Sequence, residues 1–186
     1  MLFRRMQPAD LPAILAIQEA NLFANLSEAQ RRDGFLSARF TAEQFAEMDR
    51  QVAVVVGEQG GIVTGYGCAS SVEYNRQFRL LAAMLDAARD APFLGNRLGA
   101  VRSMVYGPVC VAQEWRGRGV ARGLYECMRS LVRGDYDAGV AFIAKDNARS
   151  LAAHTDGLGM SIVGDFRFDG RGYWLIAFPV PLPPGC

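Results

Sequence analysis

Apolar and polar residues follow one another in distinct periods along this chain, and each period predicts one kind of element. Short apolar or alternating runs predict strands. They cover Leu2–Met6, Val52–Val56, Ile62–Ser70, Met104–Val111, Gly139–Ala144, Ser161–Phe168 and Gly172–Phe178. Gly57-Glu-Gln-Gly-Gly61 separates the second and third runs, and Asp169-Gly170 separates the last two. Both separators have the turn chemistry of a hairpin.

Other stretches have the three-to-four-residue period of helices. Asp10 precedes a helix whose core-facing positions are Leu11, Ile14, Leu15 and Leu22. Ser27-Glu-Ala-Gln30 and Thr41-Ala-Glu-Gln44 both have the form of a capping box, and Phe40 and Phe45 flank the second as a hydrophobic staple. A further stripe of Phe78, Leu81, Leu85 and Ala88 precedes Pro92.

Two more helices are predicted in the second half of the chain. In the first, Val120, Leu124, Met128 and Leu131 share one face, and Gly134 is a natural stop. The second opens with Asp146 or Asn147 as its N-cap. The predicted order is β-α-α-β-β-(α)-β-α-β-α-β-β, which indicates a mixed α/β (α+β) protein.

The loop between Val111 and Val120 has the chemistry of a phosphate cradle. It contains Arg116, Gly117, Arg118 and Gly119 and leads directly into a predicted helix. Glycines let backbone N–H groups approach a ligand closely, and a helix N-terminus offers unsatisfied donors with a partial positive charge. Arginines beside such donors suit a pyrophosphate.

Several known motifs compete for this loop. A mononucleotide P-loop is excluded because no lysine follows the glycines. A dinucleotide fingerprint would need a glycine where Arg122 stands and more strand–helix units than the remaining chain holds, although it stays an alternative, as does an ordinary surface turn. Arg116-x-x-Gly119-x-Ala121 resembles the Q/R-x-x-G-x-G/A signature of the GNAT acetyltransferase superfamily, in which this loop holds the pyrophosphate of acetyl-coenzyme A.

A second segment strengthens the resemblance. Asn147, Ser150 and His154 fall three and four apart, so they line one helical face. They are similar to the family's second signature, Asn-x-x-Ala/Ser followed by an aromatic residue seven places after the Asn. In the family this Asn bonds the pantetheine arm, and the aromatic residue is often a Tyr near the coenzyme sulfur.

The resemblance implies a fold, a substrate and a set of binding residues. The fold is a mixed, mostly antiparallel sheet with helices on both sides, and the strands at 104–111 and 139–145 splay apart to admit pantetheine. Pantetheine would pair with the backbone near Val109 and Val111. The remaining candidate coenzyme-binding residues come from the loop, the start of its helix and the second signature, and are Arg116, Gly117, Arg118, Gly119, Val120, Ala121, Arg122, Asn147 and Ser150.

The resemblance also implies an activity, transfer of the acetyl group from the thioester of acetyl-coenzyme A to an amine. This reaction needs an unprotonated amine and a stabilised leaving thiolate. The resemblance implies direct transfer without an acyl-enzyme, and Cys110 is interpreted as a small buried thiol. His154 stands where many relatives have Tyr, and as an imidazolium it could protonate the thiolate or simply bond a backbone carbonyl. Glu73 is the preferred candidate for a general base, ahead of Tyr74 and Glu114.

Composition narrows the setting of this function. With 186 residues, 51% hydrophobic and 21% charged, the chain is expected to form a single domain over 1–186. A net charge of +1 indicates neither a nucleic acid nor an anionic membrane as partner, and the apolar stretch Leu11–Ile17 suits a helix better than a signal peptide. The tail Pro179–Pro184 is expected to be extended.

Cysteine usage and the acceptor region complete the expectations. Cys68, Cys110, Cys127 and Cys186 have no metal-binding spacing, so we expect no metal and reduced thiols in the cytoplasm. In this fold the segments at about 22–40 and 165–172 wall the acceptor pocket, and their mixed charges select no acceptor class. The helix near 78–89 could cover the pocket or contact a second copy in a homodimer. A non-catalytic acyl-CoA-binding or sensory module remains the alternative function.

Overall fold

The computed structural model describes residues 1–180. Within this range the strands are β1 (Leu2–Arg5), β2 (Ala53–Gln59), β3 (Ile62–Ser71), β4 (Pro92–Phe93), β5 (Asn96–Arg97), β6 (Ser103–Val111), β7 (Ala138–Ala144), β8 (Ser161–Phe168) and β9 (Arg171–Pro179). The α-helices are α1 (Leu11–Asn21), α2 (Glu28–Arg31), α3 (Ala42–Gln51), α4 (Val72–Asn75), α5 (Arg79–Ala88), α6 (Val120–Leu131) and α7 (Ala148–Thr155). The predicted tail beyond Val180, and Cys186, lie outside the described residues.

The main sheet has the strand order β1-β2-β3-β6-β7-β9-β8, and β4 and β5 form a separate two-stranded sheet. The ladders β1–β2, β2–β3, β7–β9 and β8–β9 are antiparallel, whereas β6 and β7 are parallel. The parallel ladder pairs Ser103–Val105 with Ala138–Val140. The predicted mixed, mostly antiparallel sheet flanked by helices is confirmed, with α2, α4 and the small β4–β5 sheet as additions to the predicted order.

The described chain divides into two compact units. The first combines Met1–Ala69 with Gly107–Leu131, and the second combines Ser70–Tyr106 with the residues from Val132 onward. None of the helices described between residues 1 and 180 is long and apolar enough to cross a bilayer.

Local sequence signals set the helix starts of the first unit. The Ser27 and Thr41 side chains each accept a bond from the backbone N–H three residues on, and Gln30 and Gln44 return the bond, so both predicted capping boxes are confirmed. The Phe40 and Phe45 ring centroids lie 6.0 Å apart, as the staple requires. Phe45 also packs edge-on against Tyr66 of β3, and both rings are fully buried.

Asp10 departs from its predicted role as a side-chain cap. It occupies the N-cap position of α1, but its backbone is already helical, with φ −81° and ψ −18°, and its side chain makes no capping bond. A capping side chain normally needs an extended backbone at that residue. The carboxylate instead accepts bonds from the Arg4 guanidinium at 2.7 and 3.0 Å and from the Gln7 N–H at 2.7 Å. This long-range pairing lowers the pKa of Asp10.

Helix α6 buries a slightly different stripe from the predicted one. Val120, Leu124 and Met128 are buried as expected, but Leu131 is 44% exposed. The buried row continues in steps of four to Val132, just past the helix end, and Tyr125 joins it. Successive steps of four rotate by about 40° on a helix of 3.6 residues per turn, so the row turns away from Leu131.

The second unit is built around the predicted extra helix and the final hairpin. Helix α5 contributes Met84, Leu85 and Ala88 to a core that also includes strand residues such as Val140 and Leu175. The predicted turn between β8 and β9 is confirmed, because Asp169 and Gly170 both have positive φ, 46° and 80°. This pair of left-handed residues matches the twist of a two-residue hairpin.

Candidate functional site

The Arg/Gly loop follows β6 and leads into α6 in the first unit. Gly117 and Gly119 have φ values of +73° and +79°, a left-handed conformation that favours glycine. A Cβ built on either residue would meet no atom within 4 Å. The loop therefore turns an open backbone surface outward, and this surface fits a phosphate group that must approach the backbone closely.

The start of helix α6 adds donors to this surface. The Gly123 N–H bonds the carbonyl oxygen of Gly119 at 3.0 Å, so the helical ladder begins at Gly119. The N–H groups of Val120, Ala121 and Arg122 precede this first bond and have no carbonyl one turn before them. Together with the partial positive charge of the helix end, they favour an anion.

The arginines of this loop have different surroundings. Arg118 is exposed, and its guanidinium lies 5.1 Å from the centre of the Trp115 ring. Arg122 is also exposed and lies 3.9 Å from Glu126. The Arg116 guanidinium instead donates to protein acceptors: the carbonyl oxygens of Val111 and Asp33, and Oδ1 of Asn21. Sequence reasoning missed Asn21, because no local pattern links residues 95 positions apart.

Strand β6 supplies the backbone groups predicted to pair with pantetheine. Val109 and Val111 are half-buried, and the residue after the strand, Ala112, donates its N–H to the Thr64 carbonyl at 3.0 Å. Cys110 between them is buried, and burial raises the pKa of its thiol to about 12. A thiol in this state supplies very little thiolate near neutral pH, which agrees with a packing role.

The second signature lies at the start of helix α7 in the second unit. Asn147 is the N-cap, and its Oδ1 accepts the Ser150 N–H at 3.3 Å. The other capping candidate, Asp146, pairs with Arg171 at 2.8 Å. Asn147 is buried and Ser150 is half-buried, so the cap orders both residues predicted to contact the pantetheine arm.

His154 is held by its own helix. Its Nδ1 lies 2.7 Å from the Ser150 carbonyl oxygen, and its ring centroid is 6.4 Å from that of Tyr106 in edge-on contact. Burial lowers the pKa of His154, and the bond to Ser150 opposes this only in part. The neutral ring is therefore favoured near pH 7, which disfavours the imidazolium form considered from sequence.

The candidate bases occupy separate places. Glu73 is exposed in the first turn of α4 and lines a cavity of about 500 Å³ in the second unit. Burial, with the charges of Asp135 and Glu73, raises the pKa of nearby Tyr136. Glu114 is exposed and lines a cavity of about 300 Å³ in the first unit, together with Asn21 and Arg116.

No protein-family model matches the chain, and no curated protein matches it. Solved structures do match this chain. A ribosomal-protein-alanine N-acetyltransferase from Brucella melitensis is 24% identical, with a TM-score of 0.62 over 96% of this chain and 99% of that chain. A proposed acetyltransferase from Salmonella typhimurium, solved with acetyl-CoA, is 19% identical, with a TM-score of 0.61 over 100% and 99% of the two chains.

A third structure is described as belonging to the GNAT family. It comes from Desulfovibrio desulfuricans and is 13% identical, with a TM-score of 0.63 over 97% of this chain and 99% of that chain. At identities this low, similarity of structure establishes the fold. The chain has the fold of the GNAT N-acetyltransferases.

Proposed function

We propose that this protein is an acetyl-CoA-dependent N-acetyltransferase that transfers an acyl group directly to an amine of a small molecule or peptide, with the whole chain acting as one catalytic domain. The observation that carries the proposal is the open glycine loop at the start of α6, where Gly117 and Gly119 have left-handed backbones with free space beside them. The Salmonella structure with this fold was solved with acetyl-CoA.

Each signature would hold a different part of the coenzyme. The backbone from Arg116 to Arg122, with the Arg118 and Arg122 side chains, suits the pyrophosphate because it combines helix N-terminal donors with positive charge. The backbone of Val109 and Val111 would pair with pantetheine amides, which carry one donor and one acceptor each. Asn147 and Ser150 would contact the same arm.

The reaction sets the role of the candidate catalytic groups. The amine nitrogen bonds to the thioester carbonyl carbon, the carbon–sulfur bond breaks and the sulfur leaves as the thiolate of coenzyme A. The nitrogen gives up one proton to a base, and protonation of the thiolate completes the reaction as free thiol. In neutral His154 the bond to the Ser150 carbonyl places the proton on Nδ1, so Nε2 keeps the lone pair. The Nε2 atom is therefore suited to accept a proton or a hydrogen bond. Glu73 remains a second, weaker candidate for the base. The expected setting is the cytoplasm, with Cys68, Cys110 and Cys127 as free thiols.

The arrangement at His154 also favours a second candidate function, a non-catalytic acyl-CoA-binding or sensory module. A histidine stands at position 154, where many members of the family carry Tyr. A chain that kept the phosphate loop and lost the chemistry would bind the coenzyme without turnover.

Release of free thiol from acetyl-CoA across a panel of acceptors distinguishes the two functions. The panel includes small primary amines and peptides beginning with alanine, the latter because the Brucella structure is described as a ribosomal-protein-alanine N-acetyltransferase. An N-acetyltransferase releases thiol with at least one acceptor and yields the acetylated amine by mass spectrometry, and Gly119→Glu abolishes the signal. Coenzyme binding with no turnover on any acceptor would favour the module instead.

A further inference from the structure

The Arg116 side chain joins three segments of the first unit. Its Nε donates to the Val111 carbonyl at 3.3 Å, its Nη1 to the Asp33 carbonyl at 3.0 Å, and its Nη2 to Asn21 Oδ1 at 2.5 Å. Val111 ends the strand before the loop, Asn21 ends helix α1, and Asp33 follows helix α2. One guanidinium thus links the first residue of the Arg-x-x-Gly motif to the connection between α1 and α3.

Asn21 is built into the fold as the partner of this guanidinium. It is only 5% exposed, and its Nδ2 donates to the Ile17 carbonyl at 2.7 Å. The carbonyl oxygen of Ile17 takes the NH₂ end of the amide and the guanidinium takes the oxygen end, so both ends face complementary groups. A buried polar side chain with this arrangement is costly to disturb.

The same asparagine closes the connection that follows it. The Leu36 N–H donates to the Asn21 carbonyl at 2.8 Å, and the Phe23 N–H donates to the Leu36 carbonyl at 3.0 Å. Residues 22–36 therefore form a loop closed at its base, and Arg116 reaches into it at Asp33. The 22–36 connection and the phosphate loop are therefore both held by the Arg116 side chain.

We propose that Arg116 is a positioning residue which, through Asn21 and the Asp33 carbonyl, couples the conformation of the 22–36 connection to that of the phosphate loop. This inference rests on the proposed function. The Arg116 side chain acts through the loop backbone and not on the phosphates. Gly117 and Gly119 follow within three positions, so a shift of the Arg116 backbone moves the donors that would bind the pyrophosphate.

Positioning by Arg116 and a direct contact of Arg116 with the phosphates predict different effects of replacing Asn21. If Arg116 bonded the pyrophosphate, loss of Asn21 would free the guanidinium and leave coenzyme affinity unchanged or improved. If Arg116 positions the loop, loss of either Arg116 or Asn21 weakens coenzyme binding. Loss of both adds little further, because the two side chains form the same interaction. The cavity of about 300 Å³ beside both residues gives substituted side chains of different size room to settle.

A double-mutant cycle tests this with Arg116→Met, Asn21→Leu and the double variant, using coenzyme A as the probe in calorimetry. We expect each single change to weaken the Kd by about tenfold, the effect of losing a hydrogen bond to a charged group. The double variant should bind no more weakly than Arg116→Met. In turnover assays the KM for acceptor should rise in the same variants, while Arg116→Lys, which keeps one bond, should recover part of the affinity.

Controls keep the outcomes separate. Arg39→Gln breaks an exposed pair between Glu19 of α1 and the segment that leads from Leu36 to α3, and should leave the Kd for coenzyme A unchanged. If Asn21→Leu fails to fold, Asn21→Ser removes the same bond with a smaller change. Unchanged coenzyme affinity in folded Asn21 variants would overturn the positioning role, and so would strictly additive losses. Failure of the unmodified protein to bind coenzyme A would instead overturn the proposed function.

Discussion

The Nδ1 atom of His154 lies 2.7 Å from the carbonyl oxygen of Ser150, one turn earlier in helix α7. A carbonyl oxygen only accepts hydrogen bonds, so Nδ1 carries the proton and Nε2 holds the lone pair of the neutral ring. Burial lowers the pKa of this ring, and together these effects give His154 the character of a proton acceptor near pH 7.

His154→Gln should therefore lower kcat by about 10²-fold, the scale of lost acid–base help. The ratio of wild-type to variant kcat should be level above about pH 7 and should fall as pH drops through the lowered pKa, since protonation removes the lone pair. Taking the ratio at each pH cancels the ionisation of the acceptor amine. A ratio that stays flat with pH, or that grows towards acid, would contradict a base role.

The same ring predicts how stability depends on pH. The folded-state pKa of His154 is lower than the unfolded value of about 6.5, so protonation favours the unfolded chain. The contribution of the neutral ring to the free energy of unfolding is therefore complete above about pH 6.5. It is lost as the pH falls below about 6.5 towards the folded-state pKa. We expect wild type to lose more stability than His154→Gln between pH 7.5 and 5, in urea unfolding at about those two pH values. Equal losses in both proteins would show that the ring titrates as it does in the unfolded chain. Asp10 has a lowered pKa too, but its loss begins at lower pH, below about 4.

Gly139 should not tolerate even a methyl group. It lies opposite Phe178 in the β7–β9 ladder, and a Cβ on Gly139 would clash with that buried ring, which also packs against Tyr106. Gly139→Ala should destabilise the protein by about 1–3 kcal/mol, the cost of overpacking a core. In a Phe178→Leu background the same change should cost much less. Equal costs in the two backgrounds, measured by urea unfolding, would show that the cost does not come from the Phe178 ring.

Leu94 should be replaceable with a gain in stability. It forms the turn between β4 and β5 with Gly95, has a φ of +52° and is 54% exposed. A left-handed leucine costs about 1 kcal/mol, whereas Asn-Gly is a favoured pair for such turns. Leu94→Asn should raise Tm by about 2–4 °C, and Leu94→Ala, which keeps a Cβ without the polar side chain, should not. A lower Tm for the Asn variant would show that the leucine side chain contributes contacts outweighing its strain.

Several elements could be predicted because their signals are local. The Thr41 capping box, the Asp169-Gly170 turn and the apolar runs of the long strands each hold their information within a few residues. The β4–β5 hairpin escaped prediction because its strands have two residues each and its turn begins with leucine. The pairing of Asp10 with Arg4, which replaces the predicted cap, depends on how distant segments meet.

The candidate site follows the same division. Gly117, Gly119 and the Asn147 cap could be found from spacing, because each acts through its neighbours in the chain. Asn21 could not, since its partner Arg116 is brought to it only by the folded first unit. The state of His154 also depended on the structure, because burial and the Ser150 carbonyl decide which nitrogen carries the proton.

The central claim is that the loop from Arg116 to Arg122 binds the pyrophosphate of coenzyme A. A thermal-shift titration with acetyl-CoA, coenzyme A and NAD tests it most directly, alongside a Gly119→Glu variant that places a side chain and a negative charge at the left-handed position. A ligand at about 100 times its Kd adds roughly 2.7 kcal/mol, a rise in Tm of about 5–10 °C for a chain of this size. We predict that rise with both forms of coenzyme A, none with NAD, and none in the variant. No shift with coenzyme A, or a shift that the variant retains, would contradict the claim.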